Sequence, residues 1–241
     1  MSDYKENIRI ELEFWKRERM QQPSRLDKMT DRIQKKVNSY IPDQIHKAVT
    51  VTIKTMVKAV LLGSEYTTSV TPPVEMSLIH REALVKQKIE DYGKTGAAEG
   101  GITGAGGFLM GMADFPLLIG IKIKLLFEIA ALYGFDVRNF KERLYILYIF
   151  QLAFSSQHGG TKVFLQFEDW EKKQDILPDN SENFDWLTFQ QEYRDYIDIA
   201  KLAQLIPMVG AVVGAIANYK MIKKMGKTAM MAYRMRLLNN Q

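Results

Sequence analysis

The sequence has 241 residues, enough for one large domain or two small ones, and a net charge of +5. It contains no cysteine, which excludes disulfide frameworks, thiolate zinc sites, iron–sulfur clusters and a cysteine nucleophile. An apolar share of 46% and a charged share of 25% are typical of a soluble globular protein and argue against a multi-pass membrane protein.

The first part of the chain shows the apolar spacing of amphipathic helices. The first helix places Ile8, Leu12 and Trp15 on one side, and its many charges argue against a signal peptide. Further helices are predicted after Pro23, from Asp43 onward and over 76–92, with a loop over 63–74. We predict an amino-terminal helical extension over residues 1–25 and an all-α domain over 26–241.

Eight glycines lie between residues 93 and 111. Within a helix each glycine costs about 1 kcal/mol relative to alanine, so a loop is the simple expectation. Small residues recur here, however, at alternating steps of four and three, the spacing of a helix contact face. Such a face lets another helix approach closely, and we therefore predict a helix. The row consists of Gly93, Ala97, Gly100, Gly104, Gly107, Gly111 and Asp114.

The middle of the chain is predicted to form more helices. Asp114 is predicted to cap a helix with Pro116 in its first turn, and Gly134 to end it. Other helices are predicted over 139–154, 162–173 and 184–206, with loops over 155–160 and 175–183. Because strand and helix patterns do not alternate, the predicted class is all-α.

A second row of small residues lies in the sequence IPMVGAVVGAIAN, where Gly210 and Gly214 form a GxxxG pair. We predict a single compact multi-helix domain with its two glycine-rich helices packed together in the core. The alternative is that each packs against an ordinary helix with bulky side chains. A break at Gly226 is predicted to leave a short basic helix over 227–238.

Basic residues dominate the last 41 positions, which hold seven lysines and arginines and no acidic residue. Each basic residue near an anionic lipid surface contributes about 1 kcal/mol to binding, so we predict a membrane-surface or anion-binding cluster. The structural alternative is a solvated basic helix that pairs with the acidic stretch 161–200. Nucleic acid is not expected, because no zinc finger or RNA-binding aromatic motif is present. The cluster consists of Lys220, Lys223, Lys224, Lys227, Arg234 and Arg236.

No motif assigns a catalytic residue, a cofactor or a metal ion. The segment GITGAGGFLMG lacks the lysine and hydroxyl of a phosphate-binding loop, and Leu109 stands where the dinucleotide motif needs glycine. The three histidines have no metal-ligand spacing. The candidate functional polar residues are Asp114 and Glu99 at the glycine segment and His158 in a predicted loop. Each also has a purely structural explanation. Asp114 can cap a helix, Glu99 can be an exposed or capping carboxylate, and His158 can lie in a simple turn.

Four segments carry a family resemblance: IPDQIHKAV, GAAEGGITGAGG, MADFPLLIGIKIKLLFEIAALYGFD, and IPMVGAVVGAIANY with the basic tail. The most specific part is the glycine run that leads to Asp114, Pro116 and then residues 133–136. On these segments the chain resembles the EcsC family of bacterial proteins, which is named for a gene beside those of an ABC transporter implicated in secretion. The resemblance implies an all-α fold and a link to membrane or transporter biology, and it supplies no catalytic residues.

Three functions are compatible with these features. We expect a non-catalytic accessory protein in the cytoplasm, at the inner face of the bacterial membrane, whose partners are the anionic membrane surface and a transporter or other protein. One alternative is a small-molecule-binding or hydrolase-like enzyme with a pocket at the glycine segment. The other is a membrane-inserting glycine hairpin, although Asp114 and Pro116 oppose insertion of residues 102–121.

Overall fold

The computed structural model describes residues 2–21, 43–62, 76–105, 107–155, 157–168, 170–180, 182–185, 189 and 211–239. In this part of the chain there are eight helices and no strand, which confirms the all-α prediction. None of the described helices is both long and apolar enough to cross a membrane. The helices are α1 (Ser2–Met20), α2 (Asp43–Leu62), α3 (Leu78–Ala105), α4 (Gly107–Tyr133), α5 (Phe140–Phe154), α6 (Gln157–Glu168), α7 (Trp170–Ile176) and α8 (Ala211–Asn239).

Three long helices, α3, α4 and α8, form the centre of the fold. Glu82, near the start of α3, contacts Tyr133 at the end of α4, so these two helices are antiparallel. Glu82 also contacts Arg234 near the end of α8, and Gly100 faces Gly214 near its start. Helix α8 therefore runs antiparallel to α3 and parallel to α4.

The outer helices cover this centre. Helix α5 packs against α8 and α4, α2 packs against α4 and α5, and α1 packs against α8 and α6. On α1 the predicted apolar residues Ile8, Leu12 and Trp15 are indeed buried. On α4 every residue over 125–133 is buried, since this end of the helix lies among the other helices of the core.

The predicted end of α4 at Gly134 is confirmed, and the start of α5 has a local capping signal as well. Gly134 has a φ of +97°, a conformation in which glycine avoids the strain of a side chain. The amides of Gly134 and Phe135 donate to the carbonyls of Ala131 and Ala130 at 2.9 and 3.1 Å, which is a Schellman ending. Asn139 then caps α5, because its side chain accepts a hydrogen bond from the Lys141 amide at 2.8 Å.

Two helix starts differ from the prediction. Helix α4 begins at Gly107, so Asp114 and Pro116 lie inside the helix and Asp114 is not its cap. The cap signal was misleading because the glycine segment before it is already helical. Helix α6 begins at Gln157, so His158 lies in a helix and not in the predicted loop.

The predicted break at Gly226 is also wrong. Helix α8 continues through this residue, and the basic segment after it is the second half of a 29-residue helix. Gly226 is buried, and a β-carbon there would lie 2.5 to 2.9 Å from three side-chain atoms of Ile89. The glycine therefore makes room for α3, and helix packing offsets its low helix propensity.

Several predictions fall outside the described residues. They are the helix after Pro23, the boundary at residue 25, the loop over 63–74, most of the helix over 184–206, and Gly210.

Candidate functional site

Helices α3 and α8 approach each other backbone to backbone near Gly100. A β-carbon on Gly100 would lie 2.7 Å from the carbonyl oxygen of Gly214 and 2.6 Å from Nδ2 of Asn218. A β-carbon on Gly93 would lie 3.0 Å from the ring of Tyr219. The two helices can therefore come this close only because residue 100 is a glycine.

Gly100 and Gly214 come from the two rows of small residues identified in the sequence. The segment around Gly104, Gly107 and Gly111 has a helical backbone, but the surroundings of these three glycines lie outside the described part of the structure. The packing of these three glycines thus stays a prediction.

Beside this contact, the buried Lys122 reaches from α4 to α8. Its ammonium donates to the Leu118 carbonyl at 3.1 Å and to Oδ1 of Asn218 at 2.9 Å, and Asn218 Nδ2 donates to the Gly214 carbonyl at 3.2 Å. Among the described residues no carboxylate forms an ion pair with Lys122. Burial lowers the pKa of Lys122 to about 7, so this lysine exchanges its proton near neutral pH.

A first buried ion pair joins four helices through Glu82. Arg234 donates to the Glu82 carboxylate from Nε at 2.7 Å and from Nη2 at 2.6 Å. The hydroxyls of Tyr4 and Tyr133 donate to the same carboxylate at 2.6 and 3.1 Å, and Arg234 Nη1 donates to Glu11 at 2.7 Å. Burial raises the pKa of Glu82, but these hydrogen bonds outweigh burial and leave the pKa below its ordinary value.

A second buried ion pair lies close by, between Glu142 of α5 and Arg236 of α8. Arg236 Nη1 and the Tyr233 hydroxyl each donate to Glu142 at 2.6 Å. The guanidinium also donates to Glu171 at 3.1 Å and lies 4.0 Å from the ring centroid of Phe135. Burial raises the pKa of Glu142, and the hydrogen bonds from Arg236 and Tyr233 oppose that rise.

The two ion pairs correct the assignment of the basic cluster. Arg234 and Arg236 are buried and bound to carboxylates, so they are not part of a surface that binds lipid or other anions. For Arg236, pairing with the acidic stretch 161–200 does occur, through Glu171. The sequence MMAYRMRLL did carry a signal, because its arginines stand among apolar residues, as Lys122 does in IGIKIKLL.

The four lysines of the cluster remain at the surface. Lys220, Lys223, Lys224 and Lys227 are all exposed, and their spacing of three and four places them on one face of α8. We call these four residues the lysine stripe. Lys223 forms an ion pair with Glu90 at 2.8 Å, which holds the pKa of that carboxyl below its ordinary value.

The candidate polar residues lie on three different helices. Glu99 belongs to α3 and Asp114 to α4, whereas His158 belongs to α6, which packs against α5 and α1. No group of three or more potential ligands among the described residues is arranged to hold a metal ion. A groove of about 480 Å³ lies between α1 and α8, where Trp15 and Lys227 are among its lining residues, and so away from the glycine segment.

The sequence model of the EcsC protein family matches residues 6–238. The chain belongs to this family. Protein EcsC of Bacillus subtilis (strain 168) is 45% identical over 224 residues, which are 93% of this chain and 92% of that protein. The uncharacterized protein YdbA of the same strain is 32% identical over 145 residues, 59% of this chain and 53% of that protein. No solved structure matches the chain.

Proposed function

We propose that this EcsC family member is a non-catalytic accessory protein that attaches to the anionic inner face of the bacterial membrane through the lysine stripe. The observation that supports the proposal is the contrast within α8: its four lysines are exposed on one face, while its arginines are bound to buried carboxylates. On α8 it is therefore the lysines, and not the arginines, that are exposed to an external anion.

The charge of the stripe suits a lipid surface. Each lysine near an anionic bilayer contributes about 1 kcal/mol, so four lysines can hold a protein reversibly at moderate ionic strength. Glu90 offsets part of the charge of Lys223. Since exposed charges are screened by salt, binding through the stripe must weaken as ionic strength rises.

The family resemblance adds a proposed protein partner. A membrane transporter at the same surface would bring the protein to the site where the lysines act. A pull-down from detergent-solubilised membranes tests this part: co-purification of a transporter subunit with the wild type is expected, and its absence would refute the proposed partner.

Vesicle co-sedimentation tests the lipid proposal. The wild type should bind phosphatidylglycerol vesicles and not phosphatidylcholine vesicles, and Lys220→Glu/Lys224→Glu/Lys227→Glu should lower that binding at least tenfold, from about 1 kcal/mol per lysine. The matched control is Lys47→Glu/Lys54→Glu/Lys58→Glu, which makes the same charge change at three exposed lysines of α2.

Three outcomes would refute the proposal. They are no binding of the wild type at physiological salt, an equal loss in both triple variants, and lysine-dependent binding to a DNA duplex without binding to vesicles.

A further inference from the structure

The lysine stripe continues into two exposed apolar residues at the start of α8. Val212 is 72% exposed and Ile216 is 50% exposed. From Val212 to Ile216, Lys220, Lys223 and Lys227 the steps are four, four, three and four, so all five residues lie on one face of the helix. This face is about 22 Å long, at 1.5 Å per residue.

The helices that pack against α8 bury its other sides and its carboxyl end. The opposite side of α8 is occupied by α3 and α4, through the contacts of Gly214 and Asn218. Beyond Lys227 helix α1 covers α8, and Met230, Met231 and Arg234 are buried there. Within the described residues the exposed face thus runs from Val212 to Lys227, with aliphatic side chains at one end and ammonium groups at the other.

This sequence of aliphatic and then ammonium groups along the helix fits the surface of an anionic lipid bilayer. An anionic bilayer presents phosphates above an apolar layer, so lysines can bind the phosphates while aliphatic side chains enter below them. A nucleic acid backbone offers phosphates, but it has no apolar layer for two adjacent aliphatic side chains.

We propose that Val212 and Ile216 insert into the boundary between headgroups and acyl chains of an anionic bilayer, with the first half of α8 lying along the membrane surface. The inference rests on the proposed function. It adds which face of α8 contacts the bilayer, and that the aliphatic end of this face lies deeper in the bilayer than the lysine end. It also predicts a component of binding that salt does not screen, because aliphatic insertion does not depend on charge.

Site-specific labelling tests the insertion directly. The chain has no cysteine, so Val212→Cys and Ile216→Cys can each be labelled alone with the polarity-sensitive fluorophore NBD. Phosphatidylglycerol vesicles should shift the emission of both labels to shorter wavelength and increase it. Val51→Cys and Ile79→Cys are matched controls, because these residues are 63% and 45% exposed on other faces, and their emission should not change.

A second measurement uses unlabelled protein at about 0.5 M salt, where the lysines are largely screened. Val212→Ser/Ile216→Ser should lower the residual binding to phosphatidylglycerol vesicles about tenfold, whereas Val51→Ser/Ile79→Ser should leave it unchanged. All four positions are exposed, so neither variant is expected to unfold the protein.

The outcomes separate this inference from the proposed function. If the wild type binds the vesicles but labels at positions 212 and 216 do not respond, the insertion is refuted and lysine-dependent attachment stands. A response of labels at Ile102 and Leu117 in place of positions 212 and 216 would show that another face enters the bilayer, and would also refute it. Failure of the wild type to bind refutes both proposals.

Discussion

Positively charged side chains are buried at the carboxyl end of α8 and exposed along the part of the helix before it. In the second half, Arg234 and Arg236 are buried and each is bound to a carboxylate of another helix. From Lys220 to Lys227 the lysines are exposed, and the buried side of the helix before the two arginines contacts glycines of α3 and the ammonium of Lys122. One helix therefore combines a structural region with a surface that is open to a partner.

The difference follows from what covers each half. Arginine can bind a carboxylate through two nitrogens and stack on aromatic rings, which compensates a buried charge, and Arg236 lies over the ring of Phe135. A lysine is a compact, strongly hydrated charge that is favourable at the surface. Lys122 is the exception, since it is buried without a carboxylate in the described part of the chain and is stabilised by carbonyl and amide oxygens.

The largest expected effect comes from breaking a buried pair. Glu82→Gln leaves the guanidinium of Arg234 buried without its main counter-charge and should lower the free energy of unfolding by about 3 kcal/mol. Urea unfolding monitored by circular dichroism measures this change. The matched change in the first half, Lys220→Gln, should stay within about 0.5 kcal/mol of wild type.

The apolar double variant Glu82→Met/Arg234→Met sharpens the same comparison. Because this variant removes both charges, it should lower the free energy of unfolding by less than Glu82→Gln alone. A loss of less than about 1 kcal/mol in Glu82→Gln would contradict the structural role assigned to the second half.

The next largest effect is a dependence of the free energy of unfolding on pH, which Lys122 causes. Burial lowers its pKa from 10.5 to about 7, so between these values the unfolded chain holds a proton that the folded chain has released. Stability must then rise with pH in this window, by about 2 kcal/mol between pH 7 and pH 9. Below pH 7 both states are protonated, and the folded state carries the full cost of the buried charge.

The Lys122→Met variant provides the test. Its unfolding free energy, measured at pH 7, 8 and 9, should lack this rise even if its absolute stability differs from wild type. An identical pH slope in wild type and variant would show that Lys122 stays charged in the folded protein.

The smallest expected effect concerns the close contact of α3 with α8. Gly100→Ala gains about 1 kcal/mol of helix propensity, but its β-carbon would meet the backbone of Gly214, which cannot move aside locally. We expect a net loss of about 1 to 2 kcal/mol in thermal or urea unfolding. The β-carbon of Gly93→Ala would meet side-chain atoms of Tyr219 and Lys223 and no backbone, and this variant should be nearly neutral. A stabilised Gly100→Ala variant would mean that the two backbones are not in close contact at Gly100 and Gly214.

Local sequence signals predicted much of the fold. The apolar spacing predicted the helical class and Ile8, Leu12 and Trp15 as the buried side of α1, and the glycine at position 134 predicted the end of α4. Each of these depends on residues within one or two turns of each other, which a sequence displays directly. At Gly226 long-range packing competes with the local signal, and the predicted break was wrong. The predicted cap at Asp114 and the predicted loop over 155–160 were wrong as well.

The sequence by itself determined an all-α chain of the EcsC family with a basic carboxyl end and no cysteine chemistry. Only the tertiary structure decided which of those basic residues meet a buried carboxylate and which meet solvent. The physical reason is that Glu82 and Arg234, or Glu142 and Arg236, are separated by many residues along the chain and become partners only when helices pack. Charge is a property of a residue, whereas its burial and its counter-charge are properties of the fold.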